Sequence, residues 1–445
     1  MRYGRHRVGI LGGGRSGIGA ALLAQKVGYA AFVSEYGSLT DAHRQTLAQA
    51  HIPFEEGLHS LDALLDVDWV IKSPGISPET PIVQALRKHR IPIISEIEFA
   101  ARHTNAYLIA ITGTNGKTTT ASLTHHLMAA AGLDVKLAGN IGKSFAESLW
   151  EGDADYFVLE VSSFQLEDIE QFHPRISVVL NVTPDHLDRY HESMYAYTTA
   201  KLRITENQNH NDIFIYNSKD YWTSQNLQNL TGNPQMIGLD LQNPQCKPAY
   251  WNPSDQKLHV RKDTFDLTTW QIRGGHNYFN ATVAILIAQQ LGINRTLIAD
   301  ALTSFGGQPH RLAFVRAIAG VQFYNDSKAT NVDATLQALK SFREPVIWIA
   351  GGIDKGNDYR LLEHAVRKHV RAIVVLGAIK DKLRDFFTPI VPITYAEDMP
   401  TAVAAAHRLA QPEGVVLLSP ACASFDLFDN YAHRGKTFEN IVQHL

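Results

Sequence analysis

Cysteine is almost missing from this sequence. Cys246 and Cys422 are the only two among 445 residues, too few and too far apart for a disulfide framework, and no Cys/His cluster has metal-ligand spacing. A reducing compartment is expected. Long apolar runs are missing too: nothing approaches the ~20 uncharged residues that cross a bilayer. The N-terminus, Met1-Arg-Tyr-Gly-Arg-His-Arg7, is basic like a signal peptide, but the apolar run after it, Val8 to Leu11, breaks at Gly12. The expected location is the cytoplasm, with no membrane insertion. An excess of one charge is also lacking: 41 Lys and Arg face 44 Asp and Glu, a formal net charge of -3. That leaves no electrostatic reason for a nucleic-acid or anionic-membrane partner, so any phosphate site must be local. Internal repeats and low-complexity tracts are absent.

What is present is the composition of a globular chain, 45% hydrophobic and 19% charged, at a length that suggests about three domains. From Arg7 to about Ser95, short apolar runs (Val8–Leu11, Ala30–Ser34, Trp69–Lys72, Ile91–Ile94) alternate with helical stretches, as in a parallel sheet covered by helices. A second series holds Tyr107–Thr112, Tyr156–Glu160 and Ser177–Asn181. A third runs from about Ala319 through Pro345–Ala350, Ala372–Leu376 and Val415–Ser419. Residues 207–273 are rich in Asn, Gln, Thr and Trp and read as a small antiparallel excursion, with strands at Lys257–Val260 and Phe265–Trp270. The expected fold class is α/β in three domains: a Rossmann-like domain at 1–96, a central P-loop ATPase-like parallel sheet with that excursion at 97–307, and a second Rossmann-like domain at 308–445. The boundaries fall near Ser95–Glu98 and at the turn Gly306-Gly-Gln-Pro309.

Two loops carry phosphate chemistry. Gly12-Gly-Gly14-Arg-Ser-Gly17 fits G-x-G-x-x-G after a strand and before a helix, with Glu35 closing the next strand, so backbone N–H groups and a helix N-terminus can face a diphosphate. NAD and a UDP-sugar both present one, and the loop does not choose between them. Gly113-Thr-Asn-Gly-Lys-Thr-Thr119 ends like a P-loop, but the first glycine of G-x-x-x-x-G-K-[ST] would fall at Ile111. A shorter loop still puts Lys117 and the Thr118 hydroxyl at the start of a helix, Lys117–Ala131, where a triphosphate and Mg²⁺ can be held. Glu160 ends a strand, Asp185-His186 follow another, and Lys201 lies on an expected helix over Ser193–Glu206. Together they supply hard oxygen and imidazole groups for an Mg-nucleotide.

Ile111–Thr119, Ala138-Gly-Asn-Ile-Gly142, Leu159–Leu166, Asn181-Val-Thr-Pro-Asp-His-Leu-Asp188 and Ala200-Lys-Leu-Arg203 resemble the Mur ligases, ATP-dependent amide-forming enzymes of peptidoglycan synthesis that carry the short GTNGKT loop. Pro309-His-Arg-Leu312, Asn325–Asn331, Gly351-Gly-Ile-Asp-Lys355 and Leu418–Asp426 look like the branch that adds D-glutamate to UDP-MurNAc-L-Ala. The resemblance implies that Arg15, Ser16, Glu35, Tyr36 and Gly75 contact the UDP moiety, displacing NAD, with Asn140 and Ser162 toward the sugar substrate. It assigns ATP to Gly113, Thr114, Asn115, Gly116, Lys117, Thr118 and Thr119, and its adenosine part to Asn277, Asn280, Arg311 and Asp326. One Mg²⁺ falls to Thr118 and Glu160, a second to His186 and a CO₂-derived carbamate on Lys201, since an ammonium has no lone pair to offer a metal. D-glutamate falls to Lys328, Thr330, Lys355, Ser424, Phe425 and Tyr431. Lys117, Glu160, His186 and Lys201 form the expected catalytic set, and the chain is expected to work as a monomer. Two alternatives remain: a different amino-acid-adding Mur ligase or a folylpolyglutamate-synthase-like ligase, and an NAD-dependent oxidoreductase that would leave the second loop unexplained.

Overall fold

The structure is a computed structural model that describes residues 6–445 apart from 246–247, 269, 271–273 and 355. The chain divides into two compact units, Met1–Asp266 with Thr282–Ala301, and Leu267–Ala281 with Leu302–Leu445.

The first unit contains two parallel sheets. Strands β1 (Arg7–Leu11), β2 (Ala30–Glu35), β3 (Phe54–Glu56), β4 (Trp69–Lys72) and β5 (Ile93–Ser95) order as β3-β2-β1-β4-β5. Strands β6 (Tyr107–Thr112), β7 (Val135–Gly139), β8 (Tyr156–Glu160), β9 (Ile176–Val179), β10 (Ile213–Asn217) and β11 (Gln235–Leu239) order as β11-β10-β9-β6-β8-β7. Central strands such as β6 and β9 are apolar and buried, as strands covered by helices on both faces must be. In each sheet the strand order reverses beside the strand that carries a glycine loop, β1 or β6. Ligands of open α/β sheets bind in the crevice at the carboxyl ends of the strands on either side of such a point.

The antiparallel excursion is narrower than expected. It consists of β12 (Ala249–Asn252), β13 (Lys257–Val260) and β14 (Asp263–Asp266), so its last strand starts two residues before the anticipated Phe265–Trp270 and stops at Asp266 within it; residue 269 lies outside the described residues. Residues 213–239 instead extend the second parallel sheet. Of their two strands, β11 was hidden because it is an edge strand with Gln235 and Met236 exposed, which breaks the apolar run that marks a covered strand.

The second unit is built on β15 (Ala313–Ile318), β16 (Val321–Asn325), β17 (Val346–Ala350), β18 (Val370–Leu376), β19 (Ile393–Ala396) and β20 (Gly414–Leu418), ordered β15-β16-β20-β17-β18-β19. All neighbours are parallel except the β15–β16 hairpin, which starts the sheet earlier than the expected Ala319. Ala319 and Gly320 make its two-residue turn, both at positive φ, the conformation that matches the twist of paired strands.

Candidate active site

The glycine loop after β1 is shaped by close contacts. A methyl group on Gly17 would overlap the Gly12 carbonyl oxygen, and one on Gly12 would lie 2.7 Å from Ser73 Oγ. Gly14 and Gly75 instead face open space. Glu35 accepts from the Gly13 N–H at 2.6 Å and the Gly37 N–H at 2.7 Å, so its carboxylate ties the loop to the turn after β2. Tyr36 is exposed and lies against the His59 ring, centroids 5.7 Å apart. Arg15, at the start of the helix Arg15–Lys26, donates to the Gly142 carbonyl in the turn after β7, and Ser16 follows it on the same first turn. That places the first sheet's loop beside the Asn140 segment of the second.

The second loop, Gly113–Gly116, joins β6 to the helix Lys117–Ala130, with Gly116 in the left-handed region at the helix cap. Its shape is held by the segment after β9. Asn181 accepts from the Asn115 N–H at 2.8 Å and donates to the Asn115 carbonyl at 3.0 Å. Thr114 Oγ1 accepts from the Thr183 N–H at 3.0 Å, donates to the Thr183 carbonyl at 3.1 Å and meets the Tyr197 hydroxyl at 3.2 Å. Lys117 curls back over the loop and donates to the carbonyls of Gly113 (2.8 Å) and Thr114 (2.9 Å). Thr118 and Thr119 are buried on the first helical turn. Loop N–H groups, a helix N-terminus and a lysine together are the groups from which a phosphate cradle is built.

Around this cradle sit the expected acid and amine groups. Glu160 pairs in register with Ile111 on β6, is 3% exposed, and accepts from Asn140 Nδ2 at 3.0 Å. Ser162 follows two residues later and caps the short helix Ser163–Leu166 through a reciprocal pair with Gln165. Lys201, on the helix Met194–Leu202, which is shorter than expected and continues as a 3₁₀ turn Arg203–Thr205, is 1% exposed. Its ammonium nitrogen donates to the Gly113 carbonyl at 3.1 Å and lies 4.4 Å from the Tyr197 ring centroid. Burial, and then the nearby Lys117 charge, hold its pKa well below that of an ordinary lysine, against a smaller pull from Asp185. His186 adopts a left-handed backbone conformation, with its ring 5.2 Å from Phe164 and 3.7 Å from Asp185.

Among the described residues no three His, Cys, Asp or Glu side chains converge as a metal cage. The donors at the cradle are the Thr118 hydroxyl and the Glu160 carboxylate. Such a set suits Mg²⁺, which takes one or two protein oxygens and completes its shell with water and substrate phosphates.

In the second unit, Asn280 Nδ2 donates to Asn277 Oδ1 at 3.1 Å, both side chains buried. Asp326 follows β16, accepts from Ser419 Oγ at 2.8 Å and the Leu312 N–H at 3.1 Å, and is lifted by burial to about 7, with Ser419 and Arg311 opposing. Lys328 lies 5.3 Å from the Tyr431 ring centroid, Thr330 stands two residues on, Ser424 is buried and Phe425 is exposed. Lys355 lies outside the described residues. Sequence reasoning missed Arg434, which is 2% exposed and donates to the carbonyls of Ser327, Cys422 and Gly351, gathering three strand-end loops. It also missed Tyr197 and Arg189 in the first unit; nothing in their spacing distinguishes them from packing residues.

Models of three families match in order along the chain: the MurD N-terminal domain at 7–82, the Mur ligase middle domain at 111–288, and the Mur ligase glutamate ligase domain at 310–422. The chain is 43% identical over 442 residues to the UDP-N-acetylmuramoylalanine–D-glutamate ligase of Cytophaga hutchinsonii, with 98% of each covered. It is 42% identical over 444 residues to the enzyme of that name from Bacteroides fragilis, covering 99% of this chain and 100% of the relative. Two solved structures share the fold: MurC from Thermotoga maritima (TM-score 0.60, 20% identity, 98% and 99% covered) and MurF from the same organism in complex with ADP (TM-score 0.61, 16% identity, 93% and 95% covered). The chain therefore belongs to the Mur ligase family, among its UDP-N-acetylmuramoylalanine–D-glutamate ligases.

Proposed function

We propose that this chain joins D-glutamate to UDP-MurNAc-L-Ala at the expense of ATP, releasing ADP and phosphate, in cytoplasmic peptidoglycan precursor synthesis. The observation that carries this reading is the full-length likeness to D-glutamate ligases; the cradle at Gly113–Thr119 supplies the chemistry. The alanyl carboxylate attacks the γ-phosphorus of ATP and ADP leaves; the glutamate amine then attacks the acyl phosphate carbon and phosphate departs. The N–H groups of the loop, with Lys117 once it swings from the Gly113 and Thr114 carbonyls to the phosphates, stabilise charge developing on the phosphoryl oxygens. Thr118 and Glu160 would hold one Mg²⁺, and His186 with a carbamate on Lys201 a second, which would neutralise further charge on those oxygens. The depressed pKa of Lys201 favours the neutral amine, the form with a lone pair that can take up CO₂.

In this reading residues 1–96 bind the UDP substrate through Arg15, Ser16, Glu35, Tyr36 and Gly75, with Asn140 and Ser162 reached by its sugar end. Residues 97–307 hold ATP, and 308–445 hold D-glutamate through Lys328, Thr330, Lys355, Ser424, Phe425 and Tyr431, with Asn277, Asn280, Arg311 and Asp326 on the adenosine. The chain acts as a monomer. The test is phosphate release from ATP with UDP-MurNAc-L-Ala and a panel of amino acids. D-glutamate should give the highest rate; a clear preference for L-glutamate or another amino acid would retain a ligase and reject this specificity.

A further inference from the structure

The loop that follows Glu160 meets the turn that follows β4, and one side chain spans both. Arg189 is 11% exposed; its Nη2 donates to Glu167 Oε2 at 2.6 Å and to the Ile76 carbonyl at 3.1 Å. Ile76 closes the Ser73-Pro-Gly75 turn through its N–H to the Ser73 carbonyl. The Arg189 guanidinium lies 4.7 Å from the Phe164 ring centroid, and the Phe164 ring lies 5.2 Å from that of His186. The Arg189 N–H also donates to the His186 carbonyl at 3.1 Å. Glu167, in turn, is fixed by the Tyr190 hydroxyl at 2.9 Å. Arg189 Nε is buried and has no hydrogen-bond partner, so the side chain carries a desolvation cost beside the bonds its Nη2 makes.

We propose that Arg189 is a positioning residue that sets the Ser73–Ile76 turn and the His186 side chain in fixed register, so that a substrate long enough to touch both is bound at both ends at once. The inference rests on the reading that this turn contacts the UDP part of the substrate while His186 holds magnesium where the other end of the same substrate reacts. Lysine cannot substitute: its ammonium falls one bond short of the two acceptors Nη2 reaches, and it has no planar face to lay on Phe164. A ligand that does not reach His186, such as UDP, needs no such register.

The experiment compares binding of UDP and of UDP-MurNAc-L-Ala to the full chain, wild type against Arg189→Lys, with steady-state KM values for all three substrates. Affinity for UDP should stay within about twofold, while the advantage of UDP-MurNAc-L-Ala over UDP falls about tenfold and the KM values for ATP and D-glutamate hold, as loss of a charge-assisted contact at one end predicts. Phe164→Leu, which breaks the link to His186 and leaves the Ile76 bond intact, should move the same ratio in the same direction by less, and decides the matter if Arg189→Lys does not fold. An unchanged ratio, or equal losses for UDP and UDP-MurNAc-L-Ala, overturns the inference and leaves the function standing. A wild-type protein that does not turn over UDP-MurNAc-L-Ala overturns both.

Discussion

Replacing Lys201 by methionine separates what the residue does for folding from what it does for chemistry. The nitrogens of Lys117 and Lys201 donate to the same Gly113 carbonyl at 2.8 and 3.1 Å, so they can be no more than about 6 Å apart, and two full charges there repel by about 3 kcal/mol at an effective dielectric of about 20. Burial adds to that penalty on the charged form. Methionine fills a similar volume, removes the repulsion and leaves the Gly113 carbonyl satisfied by Lys117. What is lost is one hydrogen bond, about 0.5–1.5 kcal/mol net. Lys201→Met should therefore be as stable as wild type to within about 1.5 kcal/mol, or more stable, in thermal or denaturant unfolding. Because the folded lysine has the lower pKa, its contribution to stability grows as pH rises toward the unfolded value, so any advantage of methionine should shrink between pH 7 and pH 10. Catalysis should nonetheless fall by at least about a hundredfold in phosphate release, the scale of removing one preorganised charge-stabilising group, and Lys201→Ala should regain part of its rate from short carboxylic acids that replace the carbamate. Retained activity in Lys201→Met would refute the assigned chemistry; collapse of stability would show that the lysine is there for the fold.

Two further substitutions follow from the packing. Gly17→Ala would gain about 1 kcal/mol of helix propensity, but its methyl overlaps the Gly12 carbonyl, and overpacking costs about 1–3 kcal/mol; the variant should be less stable and bind UDP-MurNAc-L-Ala more weakly. Gly14→Ala meets no protein atom within 4 Å, so it should keep wild-type stability and lose only UDP-MurNAc-L-Ala affinity, measured by calorimetry; equal behaviour of the two variants would contradict the assignment of that space to ligand. Glu96, 1% exposed and raised by burial to about 7 against hydrogen bonds from Ala146, Ser144 and Phe145, contributes stability that is present below about pH 4.5 and lost as pH rises to 7. The loss is about 3 kcal/mol. Between pH 5 and pH 8, wild type should lose stability relative to Glu96→Gln, and a pH-independent difference between the two would remove the shift.

How much of this was legible in the sequence depended on burial. Strands β4, β6 and β8 had the expected bounds because covered parallel strands read as unbroken apolar runs bounded by glycine or polar residues. β11 and β15 were missed because edge strands alternate or lose their apolar residues. Likewise Gly113, Lys117 and Glu160 could be named from motif and strand end, since their chemistry is local to one loop. Tyr197 and Arg189 could not: their roles come from contacts with Thr114 and Ile76, 83 and 113 residues away in the chain, and no periodicity encodes a single long-range hydrogen bond. Glu35 shows the opposite limit. Its position at the end of β2 was readable, but not that both its oxygens are engaged by backbone N–H groups of Gly13 and Gly37, which makes its first effect the shape of the loop.

The junction between the two parallel sheets of the first unit gathers several buried charges. Lys72 meets Asp168 at 3.1 Å, while Glu98 accepts from the N–H groups of Glu170, Gln171 and Phe172 at 2.9, 2.9 and 2.7 Å. Glu96 takes the Ala146 N–H, and Arg189 meets Glu167. Ion pairs this buried add little net stability, because desolvation offsets most of their attraction; a greasy interface would hold the sheets together as well. It would not hold them in one register, since apolar contacts tolerate sliding and a carboxylate that accepts three consecutive N–H groups does not. A substrate bound as proposed, from the glycine loop of one sheet to the phosphate cradle of the other, would require that register, because an error of about 1 Å between its two ends is enough to cost the reacting carboxylate its alignment with the γ-phosphorus.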